Sequence, residues 1–381
     1  MSYGQTPMTA KVMVVIGTRP EVIKLAPVVH ALAEASDMTV RLVTTNQHEE
    51  MVDQMLAVFG LKPDRELRLM EPNQTLGRIG ARVLQAMEET LAAERPDIVL
   101  VQGDTTSAMA TALAAFYTRT PVGHVEAGLR TGDRARPFPE EMNRRLIGQI
   151  ADLHFAPTER ARRALLGEGV PDAAITVTGN TVVDALQTIC RQAPPLPPTL
   201  AGLAAPDRPL VVVTAHRRES FGTPMERICQ ALEEIARRVP EARFVFPVHP
   251  NPSVRATVLA RLSRVPGLHL TEPVDYPTMV ALLVRSRLVI TDSGGLQEEA
   301  AALGRPTLVL REQTERMEGV EAGVARQVGT DPARIVESAL ALLLDDEVWA
   351  AMAQPTDCYG DGAASARIVA ALRAWRDGRR S

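Results

Sequence analysis

Short runs of β-branched and aliphatic residues alternate along the chain with longer segments of helical periodicity. The runs predict strands, and the longer segments predict helices such as His48–Phe59 and Leu76–Glu94. This alternation is typical of parallel sheets covered by helices on both faces. The predicted strands of the first half are Val12–Ile16, Val40–Thr44, Asp97–Val101, Val122–Glu126, Leu153–Ala156 and Ile175–Thr178. Those of the second half are Leu210–Thr214, Phe244–Val248, Leu268–Leu270, Leu288–Thr291 and Thr307–Leu310. The pattern therefore predicts an α/β fold throughout.

The length of the chain predicts two domains, since it has 381 residues and a domain takes about 150. Four prolines in Ala193–Thr199 cannot continue a helix and predict a crossing between the domains. We expect a first doubly wound domain over residues 1–185 and a second over residues 186–363. A final helix within 364–381, centred on Ala366–Asp377, carries apolar residues spaced to pack back on the first domain. Two such domains imply a cleft between them.

Composition narrows the classes of protein. The formal net charge is −4, so we expect no broad basic surface on this protein. Binding to nucleic acid is therefore not expected. The three cysteines, Cys190, Cys229 and Cys358, are too far apart for a disulfide framework or a zinc cluster, and no metal is expected. No apolar run approaches the length of a membrane span, and Met1–Ala10 lacks the pattern of a signal peptide. The expected compartment is the cytoplasm, with no membrane partner.

The segment Gly17–Lys24 follows the first predicted strand and opens a helix. It matches neither the dinucleotide-binding fingerprint nor the Walker loop, so the segment does not indicate a redox cofactor. Its glycine allows close approach, while Arg19 and Lys24 suit a phosphorylated ligand. A strand-to-helix turn with two solvated cations fits the segment equally well.

Three carboxylates follow predicted strands of the first domain. Asp104 stands where a helix cap would be, and capping is the commoner role for such a residue. Glu126 ends an apolar strand, so its burial requires a partner or a function. Glu140 follows Pro139 and has the ordinary alternative of starting a helix, as does Glu141.

The second domain carries two further candidate loops. His216 and Arg217 follow the strand Leu210–Thr214, and this position favours a contact to phosphate or an acid-base role over a purely structural one. Ser293, Gly294 and Gly295 stand at the start of a helix, where backbone amides and the helix dipole favour a diphosphate. A purely structural turn is the alternative.

Together these motifs resemble the non-hydrolysing UDP-N-acetylglucosamine 2-epimerase family over residues Val12 to about Ile368. The resemblance rests on GTRPEVIKLAP at 17–27, QGDTTS at 102–107, GHVEAGLRTGD at 123–133, PFPEEMNRR at 137–145, TGNTVVDAL at 178–186, HRRESFG at 216–222, PVHPNP at 247–252, TDSGGLQEEA at 291–300 and YGDG at 359–362. It implies two Rossmann-like domains of the type B glycosyltransferase architecture, a homodimer and no nicotinamide cofactor. It also implies interconversion of UDP-N-acetylglucosamine (UDP-GlcNAc) and UDP-N-acetylmannosamine (UDP-ManNAc), which feeds the synthesis of cell-surface polysaccharides.

The implied reaction expels UDP while C2 loses its proton, gives 2-acetamidoglucal, and adds UDP back to invert C2. Such a reaction needs carboxylates for proton transfer and groups that stabilise the departing diphosphate. By motif position the resemblance assigns proton transfer to Asp104, Glu126 and Glu140, with His216 assisting the leaving phosphate. It places around the substrate Arg19, Lys24, Asp104, Glu126, His216, Arg217, Met279, Ser293, Gly294, Gly295, Glu299 and Arg316.

The sequence departs from the family pattern in three places. Val274 stands where glutamine is frequent, and Ala215 replaces the usual glycine before His216. Many bacterial members bind a second UDP-GlcNAc as an activator near Gln47 and His48, but Glu50 stands where some activated members carry glutamine. An activator site at Gln47 and His48 is therefore an open hypothesis.

Four other functions stay open: epimerisation of a modified UDP-sugar, sugar transfer by a type B glycosyltransferase, hydrolytic epimerisation, and a nucleotide-sugar sensor. Three carboxylates favour elimination over simple transfer, since diphosphate sites alone look alike across such folds. The hydrolysing enzymes usually carry a fused kinase domain, for which this length leaves no room. A sensor has little reason to keep three carboxylates together with His216.

Overall fold

The computed structural model describes residues 9–45, 49–71, 74–205 and 208–379. It divides into two compact units. The N-terminal unit comprises the described residues of Met1–Ala185 and Gly360–Ser381, and the C-terminal unit those of Leu186–Tyr359. The chain passes from the first unit to the second within a helix, ahead of the proline-rich segment.

The N-terminal unit is a parallel seven-stranded sheet with helices between the strands. Its strands are β1 (Ala10–Ile16), β2 (Met38–Thr44), β3 (Arg65–Glu66), β4 (Ile98–Gln102), β5 (Val122–Val125), β6 (Leu153–Ala156) and β7 (Ile175–Val177). Its helices are α1 (Arg19–Glu34), α2 (Glu49–Val58), α3 (Leu76–Glu94), α4 (Thr106–Tyr117), α5 (Glu140–Ile150), α6 (Glu159–Gly167) and the first part of α7 (Thr181–Gln192). The strand order is β3-β2-β1-β4-β5-β6-β7.

The C-terminal unit repeats this architecture with six parallel strands in the order β10-β9-β8-β11-β12-β13. Its strands are β8 (Leu210–Thr214), β9 (Arg243–Pro247), β10 (Leu268–Thr271), β11 (Leu288–Thr291), β12 (Thr307–Val309) and β13 (Ala325–Gln327). Its helices are α8 (Pro198–Ala201), α9 (Thr223–Arg238), α10 (Pro252–Leu262), α11 (Tyr276–Arg285), α12 (Gly294–Ala302), α13 (Met317–Glu321), α14 (Pro332–Leu344) and α15 (Asp346–Met352).

Central strands of both sheets are buried along their whole length, as β4 and β8 show. Helices cover both faces of a parallel sheet, so such strands read as unbroken apolar runs. The helices contribute one apolar side, as Ile228, Leu232 and Ile235 do on α9. This arrangement confirms the predicted α/β class with two doubly wound sheets.

The last helix, α16 (Ala364–Gly378), returns to the N-terminal unit and packs on α1. Asp184 caps its start by accepting hydrogen bonds from the amides of Ala364 and Ser365 at 3.3 and 2.8 Å. Near its end, Arg373 and Arg376 pair with Asp37 at 2.9 and 2.8 Å. The predicted packing of this helix on the first unit is therefore confirmed.

Every predicted strand is present, with ends that coincide with the observed ones or differ from them by at most two residues. The predicted strand Val122–Glu126 is one residue too long, because β5 ends at Val125 and Glu126 takes a left-handed conformation with φ of 64°. The sequence prediction missed β3 and β13, which have two and three residues and offer no apolar run to detect. Among the described residues, no helix combines the length and apolar character that crossing a membrane requires.

Each unit has one point where the strand order reverses, between β1 and β4 and between β8 and β11. Loops that follow these strands leave the sheet in opposite directions, and their backbone groups line a crevice at its carboxyl edge. The sequence motifs with unusual residues lie at these edges.

Candidate active site

Glu126 lies directly after β5 with only 8% of its surface exposed. Its carboxylate pairs with the ammonium group of Lys24, which is 7% exposed on α1. Nδ2 of Asn180 donates to the same oxygen, Oε2, at 2.7 Å. A buried carboxylate needs a charge partner and hydrogen-bond donors, and the structure supplies both. Lys24 thus balances the negative charge of the buried Glu126 carboxylate.

Asp104 follows β4 after Gly103, whose φ is 71°. Its carboxylate pairs with the guanidinium of Arg144, a buried residue of α5. Nδ2 of Asn143 donates to the main-chain carbonyl of Asp104 at 2.9 Å. The expectation that Asp104 caps α4 is wrong, because Thr105 is the cap and accepts from the amide of Ala108 at 3.0 Å.

The two glutamates at the start of α5 differ in their surroundings. Glu141 is fully buried, and it accepts from the amide of Thr131 at 3.1 Å and from Nη2 of Arg145 at 3.0 Å. Glu140 is half-buried and has no hydrogen bond or ion pair with any residue that the structure describes. Glu141 is therefore part of the framework, whereas the carboxylate of Glu140 is available to a ligand.

Glu21 joins the two loops at the strand reversal of the N-terminal unit. Its Oε2 accepts from the amides of Gly17 and Thr18 at 2.7 and 2.6 Å, and its Oε1 accepts from Oγ1 of Thr105 at 2.7 Å. Burial raises the pKa of this carboxyl, although the hydrogen bonds oppose the shift. Gly17 leaves no room for a side chain, since a Cβ atom there would lie 2.6 Å from Oγ1 of Thr45. The loop that begins α1 at Arg19 is thus fixed against the loop that carries Asp104.

His124 on β5 reinforces the loop of Asp104. It is completely buried, and its Nε2 lies 2.7 Å from the carbonyl oxygen of Gly103. A carbonyl only accepts, so Nε2 carries the proton. Burial lowers the pKa of His124 to about 3, which keeps the ring neutral near neutral pH.

In the C-terminal unit, Asp292 after β11 binds the loop that follows β8. Oδ2 of Asp292 accepts from the amides of His216 and Arg217, both at 2.8 Å, and from Oγ of Ser220 at 2.9 Å. The ring of His216 is stacked on that of His249, with centroids 5.5 Å apart and planes 13° from parallel. Two histidines and a buried carboxylate therefore lie together at this sheet edge.

The start of α12 presents a helix N-terminus with little side-chain cover. Ser293 is the N-cap residue, and its side chain makes no capping hydrogen bond. A Cβ atom on Gly294 would lie 2.5 Å from Cζ of Arg316, whereas one on Gly295 would meet nothing within 4 Å. Amides at such a start, with the positive end of the helix dipole, suit an anion.

Arg316 packs against Gly294 and is held by two buried glutamates. Its Nε donates to Oε1 of Glu298 at 3.1 Å, and its Nη1 pairs with Glu315. Glu315 also accepts from Nη1 of Arg311 at 2.8 Å. Arg316 is only 5% exposed within this network. It therefore holds the backbone of α12 in place.

The remaining predicted residues of this unit lie on α11 and α12. Glu299 is 4% exposed and accepts from the hydroxyl of Tyr276 at 2.7 Å. Met279 is half-buried against the apolar cluster of Leu282 and Leu296. Tyr276 thus already engages one oxygen of Glu299.

Comparison with known proteins identifies the relatives of this arrangement. A family model described as UDP-N-acetylglucosamine 2-epimerase matches residues 30–373. The chain belongs to this family. It is accordingly an isomerase with two Rossmann-like units.

Similar proteins cover nearly the whole chain. The UDP-N-acetylglucosamine 2-epimerase of Escherichia coli K12 is 49% identical over 369 residues, 95% of this chain and 98% of the relative. A crystal structure of a putative enzyme of this name from Listeria monocytogenes has a TM-score of 0.93 and 47% identity, with 97% of each chain covered. The Neisseria meningitidis enzyme, solved bound to UDP-GlcNAc, has a TM-score of 0.91 and 42% identity, with 96% of this chain and all of that chain covered.

A more distant likeness concerns the fold alone. The glycosyltransferase SnogD of Streptomyces nogalater has a TM-score of 0.59 at 18% identity, with 95% of this chain and 99% of that chain covered. The type B glycosyltransferase architecture expected from the sequence agrees with this likeness.

Several residues at the site were not singled out from the sequence: Glu21, Arg144, Asn180, Asp292, Glu298 and Glu315. Asn180 stands in a quoted motif, TGNTVVDAL, but nothing local shows that it reaches a carboxylate 54 residues away. Asp292 had a detectable signal, because a carboxylate at the end of a buried strand is unusual. Gln47 and His48 lie outside the described residues. Among the described residues, no group of histidine, cysteine and carboxylate side chains has the arrangement of a metal site.

Proposed function

We propose that the chain interconverts UDP-GlcNAc and UDP-ManNAc without net hydrolysis, by anti elimination of UDP to 2-acetamidoglucal and re-addition. The C2 proton of the sugar is not adjacent to a carbonyl, so direct abstraction meets a high barrier. Breaking the bond from C1 to the phosphate oxygen as C2 loses its proton avoids a carbanion. The similarity to enzymes of this name, one of them solved with UDP-GlcNAc, supports the choice of substrate.

The observation that carries the proposal is the set of carboxylates at the edge of the N-terminal sheet. Asp104 and Glu126 are paired with Arg144 and Lys24, while Glu140 lacks a partner among the described residues. Inversion at C2 requires one group that removes a proton and one that returns a proton to the opposite face. We assign these tasks to members of this set.

The C-terminal unit supplies the groups proposed for UDP. The amides of Ser293, Gly294 and Gly295 would bind the diphosphate, with Arg316 beside them and His216 at the departing oxygen. Glu299 has carboxylate oxygens suited to ribose hydroxyls, and Met279 would lie near the uracil base. Arg19, Lys24 and Arg217 complete the proposed set of binding residues.

We propose that the enzyme acts as a homodimer in the cytoplasm, where its three unpaired cysteines stay reduced. Its product would feed the synthesis of cell-surface polysaccharides. A second UDP-GlcNAc, bound near Gln47 and His48, is the proposed activator. Activation predicts a lag or a sigmoidal dependence when the reaction starts from UDP-ManNAc alone. Strictly hyperbolic kinetics with no added UDP-GlcNAc would overturn the activator.

Proton NMR of the purified chain with UDP-GlcNAc in heavy water tests the function. We expect UDP-ManNAc carrying deuterium at C2, because the proton removed is exchanged with solvent before another is returned. Accumulation of free N-acetylmannosamine and UDP would show a hydrolysing enzyme instead. An unchanged spectrum would refute the proposal and direct the search to a modified UDP-sugar, a transferase acceptor or a sensor.

A further inference from the structure

The two carboxylate oxygens of Asp292 have different surroundings, and holding the loop after β8 in place does not by itself require this difference. The residue is completely buried, and Oδ2 accepts all three hydrogen bonds of its side chain, from the amides of His216 and Arg217 and from Ser220. Because three donors converge on Oδ2, that oxygen carries no proton.

The other oxygen, Oδ1, faces the ring of His216. It lies 3.4 Å from Nδ1 of His216, within ion-pair distance, and has no hydrogen bond to any residue of the described chain. A buried acceptor without a donor costs free energy unless a nearby group can donate to it. A proton on Nδ1 of His216 supplies that donor.

His249 restricts the plane of the His216 ring. The two rings stack 5.5 Å apart, and Nδ1 of His249 accepts from the amide of Asn251 at 3.2 Å. A neutral His249 therefore carries its proton on Nε2. Burial lowers the pKa of His249, although Asp292 opposes the shift, which favours a neutral ring as the stacking partner of His216.

We propose that Asp292 is the positioning residue for His216, an inference that rests on the proposed function. Its carboxylate keeps Nδ1 protonated and favours the imidazolium, so that Nε2 is the edge that serves the departing diphosphate. In elimination the bond from C1 to the phosphate oxygen breaks, and its electron pair goes to that oxygen. A carboxylate takes the C2 proton, the C1–C2 double bond forms, and Nε2–H of His216 donates to the new UDP anion. Re-addition reverses each transfer, with the proton delivered to the other face of C2.

The variant Asp292→Asn tests this role. The amide oxygen must accept the three donors now on Oδ2, so the amide NH₂ faces Nδ1 of His216. That arrangement forces the proton of His216 onto Nε2 and disfavours the imidazolium. We expect kcat to fall by about 10-fold to 100-fold, with KM changed by less than about threefold, as for loss of an interaction made in the transition state. The matched control is Asp331→Asn, which removes a carboxylate that caps α14 in the same unit and replaces it with an equally good cap.

Nitrogen-15 NMR of the histidine rings gives a readout that a structural role would not move. We expect Nδ1 of His216 to be protonated in the wild type and unprotonated in Asp292→Asn, with the signals assigned by their loss in His216→Gln. An unprotonated Nδ1 in the wild type would overturn the proposal, even if the variant fails to fold.

A double-mutant cycle separates positioning from general damage. If Asp292 acts through His216, Asp292→Asn combined with His216→Gln is no slower than His216→Gln alone. Independent, multiplicative losses would refute the proposal. Wild-type protein that forms no deuterated UDP-ManNAc would refute the proposed function. An active wild type with unchanged kcat in Asp292→Asn would refute the role of Asp292 alone.

Discussion

The two units use one buried carboxylate each to join the loops where their strand order reverses, and the two carboxylates are used differently. Glu21 directs both oxygens at uncharged donors from the loops after β1 and β4. Asp292 satisfies three donors with one oxygen and leaves the other beside His216. On the role proposed for Asp292, the C-terminal unit combines this structural task with a chemical one.

The side chains near Glu21 and near Asp292 also differ in kind between the two units. The N-terminal unit pairs Asp104 and Glu126 with cations, which suits groups that exchange protons with a sugar. The C-terminal unit presents Gly294 and Gly295 at the start of α12, which suits an anion. On the proposed assignments, one fold provides two kinds of chemistry, because the residues after its strands differ while the architecture of the sheet does not.

The largest expected effect is that of Asp104→Asn on proton transfer. We expect kcat and the rate of deuterium incorporation at C2 to fall about 100-fold or more. The melting temperature should stay close to that of the wild type, because Arg144 keeps Glu141 as a partner at 3.5 Å. Both rates can be read from one NMR time course in heavy water.

The matched control for Asp104→Asn is Glu168→Gln, which removes a carboxylate paired with Arg130 at 2.7 Å in the same unit. We expect its rate to stay within about threefold of the wild type. Equal losses in the two variants would mean that any change of charge in the N-terminal unit slows the enzyme. That result would contradict the proposed role of Asp104 in proton transfer.

Alanine substitutions at the two glycines of α12 distinguish an effect on protein packing from an effect on UDP binding. Gly294→Ala places a methyl group against Arg316, which Glu298 and Glu315 prevent from moving aside, so we expect a destabilisation of about 1–3 kcal/mol. Gly295→Ala meets nothing within 4 Å and should leave the melting temperature unchanged. Calorimetric titration should nevertheless show weaker UDP binding by Gly295→Ala. Unaltered affinity in that variant would place the diphosphate elsewhere.

The smallest effect on rate is expected for Glu21→Gln. The amide oxygen can accept from Gly17 and Thr18 while the NH₂ group donates to Thr105, so kcat should change by less than about threefold. A larger loss of kcat, comparable with that of Asp292→Asn, would contradict the contrast between Glu21 and Asp292.

The same variant should alter the pH dependence of stability. Burial raises the pKa of Glu21 above its ordinary value of 4.5, so the folded chain holds a proton that the unfolded chain has released. The wild type therefore loses stability as the pH rises from about 4.5 through the raised pKa. Thermal melts should show Glu21→Gln gaining stability relative to the wild type as the pH rises from about 4.5 through the raised pKa of Glu21.

The strands and the loops that carry chemistry could be predicted from the sequence, because a buried parallel strand is an unbroken apolar run and its loop follows directly. The partners of the carboxylates could not. Lys24 and Glu126 are 102 residues apart, and Arg144 and Asp104 are 40 apart. Such pairs depend on strand order, which local patterns do not determine. The capping role weighed for Asp104 as the ordinary alternative is wrong for a local reason, since Thr105 takes that position.

The division of labour between the units is tested most directly by titrating UDP into Asp104→Asn and Gly295→Ala by calorimetry. The account predicts that Asp104→Asn binds UDP within about threefold of the wild type although its turnover is lost. It predicts about tenfold weaker binding by Gly295→Ala. Loss of UDP affinity in Asp104→Asn equal to that in Gly295→Ala would contradict the assignment of proton transfer to one unit and diphosphate binding to the other.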